Sequence, residues 1–101
     1  MLTVIAKIRA RIGREAEVEA ELRKLVAPTR AEPGCINYDL HRSDTEPTVF
    51  VFYENWTSRE ALKAHAASPH MQAWAAIQGP LLQHGVEVNL FEMLTDAPWL
   101  R

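Results

Sequence analysis

The sequence predicts an α+β domain of ferredoxin-like order, β-α-β-β-α-β, with two helical segments packed on one face of an antiparallel sheet. Three observations predict it. Four short segments alternate apolar and polar residues, the two-residue period of a strand. Two longer segments carry apolar residues three and four apart, the period of an amphipathic helix. Along the chain these segments come in the order strand, helix, strand, strand, helix, strand.

The first strand, Leu2–Ala10, sends Leu2, Val4, Ala6 and Ile8 one way and Thr3, Ile5, Lys7 and Arg9 the other. Arg14–Arg30 is read as one helix, with Val18, Leu22, Leu25, Val26 and Thr29 on its apolar stripe. Pro28 predicts a kink or an early stop near its end. Glu32-Pro33-Gly34 is a turn signal. Cys35–Ser43 reads as the second strand, with Ile36, Tyr38 and Leu40 alternating with Asn37, Asp39 and His41. After the polar loop Asp44-Thr45-Glu46-Pro47 comes the third, Thr48–Trp56. This strand is apolar on both faces, with Phe50, Phe52 and Trp56 on one and Val49, Val51 and Tyr53 on the other. One helical layer covers one face. The other needs a cover, and a second copy of the chain is the expected one, giving a homodimer whose sheets meet in a barrel-like assembly.

Thr57-Ser58-Arg59-Glu60 matches a capping box, with Thr57 as N-cap and Glu60 reaching back. The helix it opens, Ser58–Ala67, bears Ala61, Leu62, His65 and Ala66 on one face. Pro69, at a tolerated first position, restarts a helix that runs through Met71, Trp74, Ala75 and Gln78 until Gly79-Pro80 breaks it. The last strand, Val86–Leu94, sets Val86, Val88 and Leu90 against Glu87, Asn89 and Phe91. The tail carries Trp99 and Leu100, which have no partner in their own segment and are expected to lie on the second copy.

Composition narrows the function classes. The length of 101 residues suits one domain. A net charge of −2 gives no basic excess for nucleic acid and no polybasic stretch for a membrane surface. No apolar run is long enough to span a bilayer. The first residues lack the features of a signal peptide, and Cys35 alone cannot form an internal disulfide, so a cytoplasmic location is expected. With four glycines and no Gly-rich phosphate loop, no nucleotide cofactor is expected. His41, His65, His70, His84, Cys35 and Glu54 are possible metal ligands. No pair has the tight spacing of a built site, and Ser68-Pro69 breaks the register between His65 and His70, so no metal is expected.

Several segments carry a family resemblance. Met1-Leu2-Thr3-Val4-Ile5-Ala6 and Glu32-Pro33-Gly34-Cys35 are two of them. More specific is Tyr53-Glu54-Asn55-Trp56, leading through Ala61-Leu62 to His65 and then Ser68-Pro69-His70-Met71. Together these resemble the antibiotic biosynthesis monooxygenase (ABM) family, and its quinol monooxygenases in particular, over residues 2–93, leaving 94–101 as a tail. The resemblance implies a dimeric α/β barrel with a pocket between sheet and helices in each subunit. It also implies a cofactor-independent monooxygenase taking a quinol or polycyclic phenol and dioxygen. Haem-degrading relatives want an asparagine in the first strand, which Leu2–Ala10 lacks.

Such chemistry needs an apolar pocket, a base and donors to an anion. His65, which matches the family histidine, is the first candidate for the base; the other role open to it is a structural histidine tying helix to sheet. Glu54, isolated in an apolar strand, is expected to orient His65, pair with an arginine or cap an amide. Trp56 and Trp74 are candidates for the walls of an aromatic site, or for core. Tyr53 and Asn37 are candidate donors to the substrate oxygen, with Tyr38 on the face opposite Asn37. His70 is expected to be a capping or surface residue. Two further functions stay open: a non-catalytic binding or stress-response module for small aromatics, and an isomerase on the same scaffold.

Overall fold

The computed structural model describes residues 1–97. Its elements are β1 (Leu2–Arg9), α1 (Glu15–Lys24), α2 (Val26–Arg30), β2 (Cys35–Arg42), β3 (Val49–Trp56), α3 (Arg59–Ala66), α4 (Pro69–Ile77) and β4 (Glu87–Glu92), with a 3-10 turn at Gly79–Leu81. The sheet order is β2-β3-β1-β4 and every pairing is antiparallel, so the chain has the expected ferredoxin-like α+β fold. The tail residues Trp99 and Leu100 lie outside the described residues.

The long first helix is two helices. Pro28 has no N–H to give the carbonyl of Lys24, so the α-helical ladder fails there. Leu25 N instead donates to Leu22 O at 3.1 Å, a tighter turn, and α2 restarts at Val26. The capping box is also corrected. Thr57 N donates to Gly34 O, which keeps Thr57 tied to the preceding turn. Ser58, extended at φ −160°, is the N-cap, and its hydroxyl accepts from Ala61 N. Ser68 caps α4 in the same way, with Pro69 at the first helical position.

The core lies between the helices and one sheet face. Val4, Ala6 and Ile8 of β1 stand beside Glu54, Phe52 and Phe50 of β3, and Val18 and Leu22 of α1 close over them. Burying each large aliphatic or aromatic side chain here stabilises the fold by about 1.5–3 kcal/mol. The opposite face is less apolar than the sequence suggests. Thr3, Asn55 and Asn37 form a hydrogen-bonded row across it, with Thr3 Oγ1 donating to Asn55 Oδ1 and Asn55 Nδ2 to Asn37 Oδ1. Ile5, Val51 and Tyr53 stay half-buried on it. Strand β4 is exposed throughout, including Val88 and Leu90, which share the helix-side face with Ala6 and Val4. Among the described residues no helix is long and apolar enough to cross a membrane.

Candidate active site

A cavity of about 370 Å³ opens between the sheet and helices α1, α3 and α4. Its walls are almost wholly apolar: Leu22 and Leu25 from α1 and its end, Phe52 from β3, Leu62 from α3, and Met71 and Trp74 from α4. The polar groups on it are few, chiefly Glu54, Tyr38 and His65. This is the make-up of a small-molecule site, an apolar body with a few placed polar groups. Two wider surface grooves lack the apolar body and are lined largely by polar and charged residues. One holds Arg23, Arg42 and Glu19, which are already ion-paired to one another.

His65 reaches the cavity because α3 is amphipathic and turns it inward, where it is 4 % exposed. Its ring packs against Trp56 at 4.7 Å and edge-on to Tyr38 at 5.4 Å. Nδ1 lies 2.7 Å from Glu32 Oε2. An ionised carboxylate only accepts, so the proton of the neutral ring is drawn to Nδ1 and Nε2 is left with its lone pair.

Glu32 is the residue that sequence reasoning missed. It sits in the turn between α2 and β2, and Gly34 is what lets that turn press against α3. Gly34 has φ +85°, and a Cβ there would lie 2.6 Å from Ala61 Cβ and 2.7 Å from Thr57 Oγ1. His70 completes the group, with Nε2 2.8 Å from the same Glu32 Oε2 and 3.2 Å from Ser68 Oγ. His70 is therefore not a surface or capping residue. The Ser68-Pro69 break that disrupts the helical register is what swings it back beside His65. The only available signal was the turn itself, an acid before Pro-Gly, and it does not say what the acid faces.

Among the described residues Glu54 makes no hydrogen bond or ion pair with His65, an arginine or a backbone amide. Its Oε1 accepts from Trp56 Nε1 at 2.9 Å. Burial, only partly offset by that hydrogen bond, pushes its carboxyl from 4.5 up to about 7, with the Glu32 charge adding to the rise. Burial also holds the Tyr38 hydroxyl firmly protonated, with the Glu54 charge adding to it. Burial, followed by the Glu32 charge, pushes the Cys35 thiol up to about 11, which leaves no thiolate for nucleophilic chemistry at neutral pH.

The structure brings together His65, Glu54 and Trp74 of the sequence candidates. Trp56 is fully buried behind His65 rather than on the cavity wall. Tyr53 and Asn37 do not reach the cavity, a correction that follows from strand alternation. Tyr53 is one residue from Glu54 and so faces the opposite way. A bulge at the start of β2 sets Tyr38, not Asn37, opposite Glu54. Asn37 Nδ2 is occupied on the far face by Asp39 and the Tyr53 carbonyl.

The fold and its sequence both have close counterparts. The chain is 36% identical over 96 residues to the Mycobacterium tuberculosis protein named putative monooxygenase Rv0793, covering 95% of this chain and 94% of that protein. The solved structure of Rv0793 superposes with a TM-score of 0.89, over 95% of this chain and 97% of that one. The Escherichia coli protein named probable quinol monooxygenase YgiN is 33% identical over 100 residues, covering 87% of this chain and 95% of YgiN. The uncharacterized protein sll1783 of Synechocystis is 28% identical over 92 residues, 91% of this chain, and the chain spans 63% of its length. The family model described as antibiotic biosynthesis monooxygenase matches residues 1–77. By this match and by its fold, the chain belongs to the antibiotic biosynthesis monooxygenase family.

Proposed function

We propose that the protein is a cofactor-independent monooxygenase that oxidises a quinol or polycyclic phenol with dioxygen. The observation that carries this reading is His65: a buried imidazole on an apolar cavity, with Nδ1 taken by Glu32 and Nε2 left as an acceptor. Triplet dioxygen reacts poorly with a closed-shell phenol but takes one electron from a phenolate. His65 Nε2 removes the hydroxyl proton, the phenolate passes an electron to dioxygen, and Glu32 stabilises the imidazolium that forms. Glu54, with its carboxyl near 7, is the second group able to take or hold a proton on the cavity wall. Trp74, Phe52 and Leu62 suit the flat apolar body of such a substrate. The name of YgiN supports the quinol class.

The working form is proposed to be a cytoplasmic homodimer. Half-buried Ile5, Val51 and Tyr53 on the sheet face away from the helices, and the exposed Phe91 beside them, support it. Light scattering at micromolar concentration is expected to give twice the chain mass, and a monomer mass would refute the dimer.

The activity is tested by an oxygen-electrode screen of quinols and polycyclic phenols. Substrate-dependent oxygen uptake is expected. Thermal stabilisation by the same compounds with no uptake from any of them would replace this reading with that of a non-catalytic aromatic-binding module.

A further inference from the structure

We propose that Glu32, His65 and His70 form a binding site for a divalent transition-metal ion of the zinc type, and that occupancy of this site switches off His65 as a base. The second half rests on the reading of His65 given above; the first does not.

The donor set is built from three separate elements: the turn before β2, the last turn of α3 and the start of α4. Glu32, His65 and His70 each offer one ligand atom, and these atoms all lie within 4.8 Å of one another. His65 is buried, and the side chains of Glu32 and His70 are 14% and 19% exposed, which leaves the group shielded but reachable from solvent. Two imidazoles and one carboxylate suit borderline first-row ions and match the protein ligands of open zinc sites.

The spacing is that of a site closed by hydrogen bonds. Each nitrogen is 2.7 or 2.8 Å from the shared oxygen. Neighbouring ligands of an ion bound at about 2.1 Å lie about 3.0–3.4 Å apart, so the two nitrogen–oxygen contacts need to open by a few tenths of an ångström, and the two rings, whose donor atoms lie within 4.8 Å, turn toward the ion. Ser68 Oγ, 3.2 Å from His70 Nε2, stands where it can hold an ion-bound water.

Binding changes the tautomer of both rings. A neutral imidazole that gives Nδ1 to a metal carries its proton on Nε2. For His65 the ring proton moves from Nδ1 to Nε2, with no net gain or loss of protons. Nε2 turns from acceptor to donor, and a donor cannot take a phenol's proton.

The experiment is calorimetric titration of the full, chelator-treated chain with Zn2+, alongside His70→Ala and His84→Ala. One ion per chain is expected for wild type and for His84→Ala, whose histidine lies on an exposed loop. His70→Ala is expected to weaken binding by at least about 100-fold, since loss even of an outer partner of a metal ligand costs about 10–100-fold. Circular dichroism of His70→Ala checks its fold. Should that variant unfold, Co2+ added to wild type takes its place: a visible absorption band that Zn2+ displaces is expected, with histidine nitrogen shifts marking Nδ1 of His65 and Nε2 of His70 as the ligands. Zn2+ affinity equal in folded His70→Ala and wild type, or metal shifts confined to other histidines, would overturn the site. Oxygen uptake tests the second half. With an active substrate, Zn2+ is expected to stop uptake and chelator to restore it. Uptake undiminished at saturating Zn2+ would overturn the switch while leaving the site. No uptake with or without metal would overturn the oxidase reading and leave the calorimetry standing.

Discussion

Glu32 and Glu54 are both shielded carboxylates, one bonded to the cavity histidine and one on the cavity wall, and they are held in opposite ways. Glu32 collects two imidazole N–H groups on a single oxygen. Among the described residues Glu54 accepts one hydrogen bond, from a neutral indole N–H, on a largely apolar wall. Glu32 touches His65 directly, whereas Glu54 reaches it only through the Trp56 ring, which donates to one and packs on the other. The difference teaches that the number and kind of donors, rather than burial alone, decide what a shielded acid does. A carboxylate with two basic partners orients a histidine. One with a single weak donor sits near its titration point.

The largest stability effect should come from removing the ring that links Glu54 to His65. Trp56→Ala empties a fully buried site and deletes the one hydrogen-bond donor to Glu54 among the described residues. Denaturant unfolding is expected to show a loss of about 3–5 kcal/mol. A loss below 1 kcal/mol would mean that Trp56 is not the post on which this end of the cavity stands.

Next is the pH dependence of Glu54. Its folded-state value, about 7, lies above the 4.5 of the free group. Between those values the folded chain holds more protons than the unfolded one, so stability falls as pH rises from 4.5 to 7 and then levels off. The cost of ionising Glu54 in place is up to about 3 kcal/mol. Glu54→Gln removes it, so the variant should gain on wild type by about 2–3 kcal/mol between pH 4.5 and 8, read from melting curves. An equal gap at both pH values would place Glu54 in a wetter setting than its burial implies.

Glu32→Gln sharpens the other side of the comparison. The amide can accept from only one atom, and its NH2 competes for the same partners. Oxygen uptake is expected to fall about 10–100-fold in kcat with little change in KM, because substrate binds the apolar walls and the base loses its orientation. A change in KM alone would give Glu32 a binding role instead. The smallest effect is at the helix that carries His65. Ser58→Ala should cost about 1 kcal/mol, and Thr57→Ala should cost less through capping, because Ser58 is the residue whose hydroxyl accepts from Ala61 N.

Much of this was legible in the sequence, and the boundary has a physical cause. Period-two and period-3.6 patterns report which way a side chain faces within its own element. That is why the strands, the inward face of His65 and the separation of Tyr38 from Asn37 could be read directly. Pairing between elements distant in sequence leaves no such trace. Glu32 and His65 are 33 residues apart, and they meet because Gly34 allows a close approach that only the packed structure defines. The Ser68-Pro69 break told against any link between His65 and His70, since a broken helix ends the register argument. The break is also a turn, and the turn folds His70 back. The Tyr53 hydroxyl makes it a candidate donor by residue type, although the same alternation that buries Glu54 sends it to the other face.

The most direct test compares oxygen uptake by wild type and His65→Ala, both freed of metal, with a quinol that the wild-type chain oxidises. Loss of a positioned base is expected to slow the variant by about 100- to 10,000-fold, while the same quinol still stabilises its fold. Equal uptake by the two proteins would contradict the assignment of His65 as the base.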